Sequence, residues 1–322
     1  MATQPRPGPH HRQRETAMHG RTVLVTGGTG GIGKQTARAL AALGARVIVV
    51  GRDPDRARAA ARDLASGGAA VTAHAADLTR LDGLRRLATE ITDRHDRIDV
   101  LVNNLGGQTA RRTLTADGVE TTFAANVLAP YALTCLLLPL LRAAGSARVV
   151  NLTGGIPGGR IDPANLQGEK TYLGWTFSQY NHAKTALMAM SRRYAAHLTA
   201  PHDGPHDGPA PATASAVTVN VAYPGHAYTP GNQAQPARAF PYAYRPLVPL
   251  LHLLGPRLLG DTAKPAHSSV HLATSPTLDG VTGIYVNSRA RRVPWPPNVL
   301  DEHAGDAVWN LCHHLTNLTP DP

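Results

Sequence analysis

From Thr22 onward, short apolar runs alternate with segments in which apolar residues recur every three or four positions. The runs TVLVT (22–26), RVIVV (46–50), AVTAHAA (70–76) and IDVLV (98–102) are apolar on both faces, as strands are when helices cover both sides of a parallel sheet. Between them Leu81, Leu84, Leu87 and Ile91 recur at helical spacing, and Asp53-Pro54 offers an N-cap followed by a proline at the first helical position. The alternation continues with a helix over 117–142, the strand ARVVNL (147–152), a helix near 178–198, the strand VTVNVA (217–222) and a last strand GIYVN (283–287). It predicts an α/β fold with a doubly wound parallel sheet of about seven strands and helices on both faces.

Two segments depart from the pattern. HDGPHDGPAPATA (202–214) holds a tandem PHDG repeat and reads as an inserted Pro/Gly loop over 201–214. Residues 225–265 are too apolar and aromatic for a linker, and read as a substrate lid or as a packing subdomain. Residues 1–19 are rich in Pro, His and basic side chains without an apolar core; a disordered tail is expected, not a secretory signal, with Met18 a candidate start. The rest, 20–322, has no long linker and is expected to be one domain. The longest apolar run, Val127 to Leu141, is interrupted by Pro130 and Pro139 and is shorter than the roughly 20 residues of a bilayer span, so a buried helix and no membrane span are expected.

Composition narrows the function. Two cysteines far apart, Cys135 and Cys312, argue against a disulfide framework and for a reducing cytoplasm. The net charge of +10 is spread over helices and loops with no paired Cys/His spacing, so neither nucleic acid nor a metal is expected as a partner; the basic surface favours anionic small molecules.

Thr26-Gly27-Gly28-Thr29-Gly30-Gly31-Ile32-Gly33 follows the first strand and opens a helix. Glycines allow a tight turn and close approach to a pyrophosphate, and the helix N-terminus points free N–H groups at it, which predicts a dinucleotide-binding Rossmann domain. At the end of the second strand, where an NAD site usually presents an acid to the ribose 2′-hydroxyl, stands Arg52, suited to a 2′-phosphate; NADP(H) is expected over NAD(H).

With these residues placed, the chain resembles the short-chain dehydrogenase/reductase family over about residues 20–318. Beyond the glycine run, the resemblance rests on Asp77-Leu78, Asn103-Asn104-Leu105-Gly106, Asn126 in the long helix, Tyr180-Asn-His-Ala-Lys184, and Pro224-Gly225 with Thr229. The stretch Asn165 to Lys170 and a C-terminal helix with Trp309 resemble the retinol-dehydrogenase-like and WW-domain-oxidoreductase-like members. The resemblance implies that Gly27, Thr29, Gly30, Gly31, Ile32, Gly33, Arg52, Asp77, Leu78, Asn103, Gly106, Pro224, Gly225 and Thr229 line the cofactor. It implies that Asn126 holds a proton-relaying water, that Tyr180 is the acid/base and that Lys184 also binds the ribose. It further implies a dimer or tetramer paired through the helices carrying Asn126 and Tyr180. Independently, residues four apart share a helix face, so Lys184 is expected to lower the phenol pKa of Tyr180.

The second glycine run, ARVVNLTGGIPGGR, raises a difficulty. Where the family ends this strand with two serines, the second bonding the substrate oxygen, this chain reads Thr153-Gly154. Three readings stay open: Thr153 supplies the hydroxyl; the substrate, a water or a lid residue such as Tyr228 supplies it; or redox chemistry has given way to a dehydration, epimerisation or cyclisation. The expected activity is that of an NADP(H)-dependent carbonyl reductase or alcohol dehydrogenase acting on a lipophilic small molecule. Abundant histidine and the scarcity of lysine against arginine are consistent with a GC-rich genome and bacterial specialised metabolism.

Overall fold

The computed structural model describes residues 18–155, 159–199, 216–226, 229, 233, 235–258 and 261–320; the expected tail up to residue 17, the inserted loop and Tyr228 lie outside the described residues. Eight strands, β1 (Thr22–Thr26), β2 (Arg46–Gly51), β3 (Val71–Ala75), β4 (Val100–Asn103), β5 (Ser146–Leu152), β6 (Ala216–Ala222), β7 (Tyr285–Val286) and β8 (Arg292–Val293), form one sheet in the order β3-β2-β1-β4-β5-β6-β7-β8. Seven run parallel, and the short β8 pairs antiparallel with β7. Chain order reverses between β1 and β4, so the carboxyl ends of these strands open the crevice in which such sheets bind ligands.

The helices are α1 (Gly31–Ala42), α2 (Pro54–Ala65), α3 (Leu81–Thr92), α4 (Thr121–Ala143), α5 (Gln179–Thr199), α6 (Val248–Leu258), α7 (Ala263–Thr274) and α8 (Glu302–Thr316). Side chains of α3, α4, α5 and α8 build the core on one face of the sheet, and those of α1, α2 and α7 the core on the other. This explains the apolar strands: Val23, Leu24 and Val25 are all fully buried although alternate side chains point to opposite faces. Asp53 caps α2 as its sequence predicts, accepting from Arg56 N at 2.9 Å.

Three details refine the expected picture. Met18, placed in the expected tail, is buried and donates its N–H to Leu43 O at 2.9 Å. α4 runs unbroken through Pro130 and Pro139, with a widened π turn over Ala124–Leu128 just ahead of Pro130, so the proline's missing donor falls where the ladder has already shifted. At 23 residues it is long and apolar enough to cross a membrane, and 89% of its most apolar window is buried inside the fold. Finally, α8 lies across α5 and α4: Trp309 packs edge-on to Tyr131 and Tyr194, and Glu302 pairs with Arg192 and Arg193. Pairing of two copies through α4 and α5 would have to use the surface that α8 leaves open.

Most of the described part of the 225–265 excursion is helical. Its turn over Tyr242–Leu247 docks through Tyr242 N to Gly174 O and Ala243 N to Trp175 O, while Leu247, Leu250 and Leu253 of the turn and α6 are exposed.

Candidate active site

The glycine loop is set by close approaches that no side chain would permit. Gly27 has φ +65°, and a Cβ there would stand 2.9 Å from Asn104 Nδ2; a Cβ on Gly33 would collide with Gly27 O and the Asn104 amide. Asn104 Nδ2 donates to Thr26 O and Gly27 O, and the Thr26 hydroxyl accepts from Asn104 N and Leu105 N, which clamps the end of β1 to the end of β4. Gly51 lets Thr29 pack against the end of β2, beside Arg52. Gly31 adopts φ +51°, and a Cβ there would lie 3.4 Å from the Thr229 methyl, which sets Thr229 against the loop.

Gly30 is the N-cap of α1 and makes no side-chain cap, and the first turn carries no acid, so no cap side chain occupies the helix's first N–H groups. A Cβ on Gly30 would meet just the Arg56 guanidinium, at 3.9 Å. An uncapped N-terminus beneath a bare glycine surface fits the pyrophosphate of a dinucleotide.

The other expected cofactor residues divide by environment. Asp77 closes its own turn through Thr79 N and Oγ1, Leu78 and Pro224 are buried, and Ile32 packs partly buried against the core beneath α1. Asn103 is buried and donates to Asn151 Oδ1 at 2.8 Å, which places its side chain in the core beneath the site. Gly225 has φ +79° and lies against Ser288.

Asn126 and Lys184 meet at Gly106, and Tyr180 stands one helical turn before Lys184 on α5. A Cβ on Gly106 would lie 2.7 Å from Asn126 Oδ1 and 3.0 Å from Lys184 Nζ. The π turn of α4 presents Asn126, whose amide donates to Gly107 O and Thr122 O, while its buried Oδ1 has no partner among the described residues. An acceptor buried without a donor beside an ammonium fits an ordered water or a ligand hydroxyl. Lys184 Nζ donates to Leu152 O at 2.9 Å and lies 6.0 Å from the Tyr180 ring centre.

The electrostatics reverse the expected sign for Tyr180. Burial, reinforced by Tyr223, pushes its phenol up to about 12, and burial brings Lys184 down to about 7. Desolvation is the leading cause, and Lys184, with its own value near 7, is neutral in the range where the phenol titrates and so does not offset it.

The second glycine run meets the same tyrosine. A Cβ on Gly154 would stand 2.8 Å from Tyr180 Oη, so a serine there requires the phenol to shift. The Thr153 hydroxyl is buried and donates to Lys184 O at 3.2 Å, turned into α5. Sequence reasoning passed over Asn104, although it stands within the quoted motif, and it passed over Arg56 and Tyr223, whose nearness to the two glycine runs is set by tertiary structure.

A glycine loop at the switch point of a parallel sheet, an uncapped helix behind it and a Tyr/Lys pair on the neighbouring helix define a nicotinamide-dinucleotide-dependent oxidoreductase. The chain belongs to the short-chain dehydrogenase family, whose pattern matches residues 21–238, and within it to the retinol-dehydrogenase-like subgroup. It is 31% identical to mouse retinol dehydrogenase 14 over 316 residues, 94% of this chain and 87% of the relative. A protein assigned as the daunorubicin C-13 ketoreductase DnrU of a Streptomyces strain is 42% identical over 165 residues, 51% of this chain and 57% of that protein. Among solved structures, the Pseudomonas aeruginosa RhlG/NADP active-site complex aligns with a TM-score of 0.61 at 28% identity, covering 85% of this chain and 96% of that one.

Proposed function

We propose that the protein is an NADP(H)-dependent carbonyl reductase or alcohol dehydrogenase acting on a lipophilic small molecule in bacterial specialised metabolism. The observation that carries the reading is the convergence of Asn126 Oδ1 and Lys184 Nζ on Gly106, beyond the end of the strand next to β1, with the Tyr180 ring centre 6.0 Å from the same Nζ. The bound cofactor supplies or accepts the hydride. Tyr180 gives its proton to the substrate oxygen as the carbon is reduced, and a phenol held near 12 is in the protonated form that reduction needs. Lys184 holds positive charge beside the phenolate as it forms and anchors the cofactor ribose; Asn126 holds the water that returns the proton.

Preference for NADP(H) rests on Arg52, with Arg56 as a second guanidinium bordering the loop at Gly30. The relatives' names point to ketone and retinol chemistry, and the exposed leucines of the 225–265 segment suit an apolar substrate. The two cysteines, both buried and in no disulfide, accord with a cytoplasmic setting.

One observation favours a second reading. Gly154 leaves the family's serine position bare, so the same scaffold would serve a non-redox dehydratase, epimerase or cyclase. Incubation of the pure protein with NADPH and a panel of aromatic and polycyclic ketones separates the two. Ketone-dependent NADPH oxidation that disappears in Tyr180→Phe supports the reductase; product at unchanged redox level without cofactor turnover overturns it.

A further inference from the structure

The missing hydroxyl can be sought among side chains that reach the bare glycines. Thr153 is committed to Lys184 O, and Tyr172 is engaged by Thr109, Thr122 and Glu120. Tyr223 remains. It follows β6 directly and precedes Pro224-Gly225, and its backbone is fixed by a 2.9 Å bond from its N–H to Val286 O in β7. Its side chain is half-buried, and its hydroxyl donates to Gly155 O at 3.3 Å. Gly155 in turn abuts the acid/base: a Cβ there would lie 3.4 Å from Tyr180 Cε1. Tyr223 and Tyr180 therefore flank the same Gly154-Gly155 pair from two sides, close enough for a charge on one phenol to be felt by the other.

We infer that Tyr223 is a catalytic residue that donates to the substrate oxygen the hydrogen bond that Gly154 has no side chain to make. This rests on the carbonyl-reductase reading. A bond of 3.3 Å to a neutral amide oxygen is weak, and a carbonyl oxygen gaining negative charge is the stronger acceptor, so exchanging one for the other favours the transition state. Glycine at 154 also has a use here, since it leaves the Tyr180 hydroxyl uncovered, where a Cβ would crowd it at 2.8 Å. The donor has moved from the end of β5 to the end of the adjacent strand β6.

The test compares Tyr223→Phe with wild type and with Tyr285→Phe, which removes the hydroxyl of the ring stacked on Trp295. Each is assayed with NADPH and those ketones of the panel that wild type reduces, alongside NADPH fluorescence titration and thermal melting. Tyr223→Phe is expected to lose about 10²-fold in kcat and equally in kcat/KM, the pattern of an interaction made in the transition state. Its NADPH affinity and melting temperature should stay at wild-type values, and Tyr285→Phe should retain wild-type turnover. Tyr223→Phe within about twofold of wild-type kcat overturns the inference, as does a loss matched by weaker NADPH binding or a lower melting temperature, which marks Tyr223 as structural. A wild type that binds NADPH yet passes hydride to no ketone overturns the reductase reading, and the inference with it.

Discussion

Lys184 exposes a conflict between stability and chemistry that can be measured without a substrate. Burial takes its ammonium from 10.5 in the open chain to about 7 in the fold. Because the folded value is the lower one, the unfolded chain holds the proton more tightly between these values. This group's contribution to stability therefore rises as pH rises from 7 to 10.5, and its penalty is complete below 7. The whole displacement corresponds to about 5 kcal/mol, of which about 3 kcal/mol remains at pH 8.

Lys184→Met keeps the length of the side chain, removes the charge, and gives up the bond from Nζ to Leu152 O, a loss of about 1–2 kcal/mol. The variant should thus be about 1–2 kcal/mol more stable than wild type at pH 8 without cofactor, a rise of roughly 3 °C in melting temperature, while losing its activity. Denaturant titrations from pH 7 to 10, within the window set by the lysine's two values, should show the advantage shrinking as pH rises, since wild type gains stability there and the variant does not. A variant less stable than wild type at pH 8, or one with the same pH slope, would refute the reasoning.

Other perturbations test separate parts of the site. Thr153→Ala removes the donor to Lys184 O and should cost about 1 kcal/mol of stability while keeping most turnover; abolished turnover with intact folding would return the missing hydroxyl to Thr153. Gly33→Ala drives a methyl into Gly27 O and the Asn104 amide, so NADPH affinity by fluorescence should fall at least tenfold, and unchanged affinity would contradict the loop geometry. Arg52→Asp should lower the NADPH-to-NADH ratio of kcat/KM by about ten- to a hundredfold, the worth of one charge-assisted bond; an unchanged ratio places the 2′-phosphate elsewhere.

The sheet was legible because β1, β2, β5 and β6 are β-branched runs that parallel, doubly covered strands require. β8 was not, since two residues at a sheet edge carry no periodicity. The long helix α4 was legible as one buried helix despite its prolines; the π turn ahead of Pro130, with Asn126 in it, is a backbone adjustment that composition does not announce. In the site, the glycine loop and the Tyr180/Lys184 spacing are local and could be read directly. The direction of the phenol shift was misjudged because burial depends on everything packed around α5, and spacing along one helix reports just one neighbour. Gly154 could be noticed in sequence, but the approach of Tyr223 to Gly155 from the next strand could not.

The central claim, that this chain moves a hydride between a nicotinamide and a carbonyl carbon, is tested most directly with NADPH deuterated at the transferring position. With a ketone from the panel, an alcohol carrying one deuterium on the carbinol carbon is expected, formed by wild type and not by Tyr180→Phe. Product without deuterium at that carbon, at the oxidation level of the starting material, would contradict it.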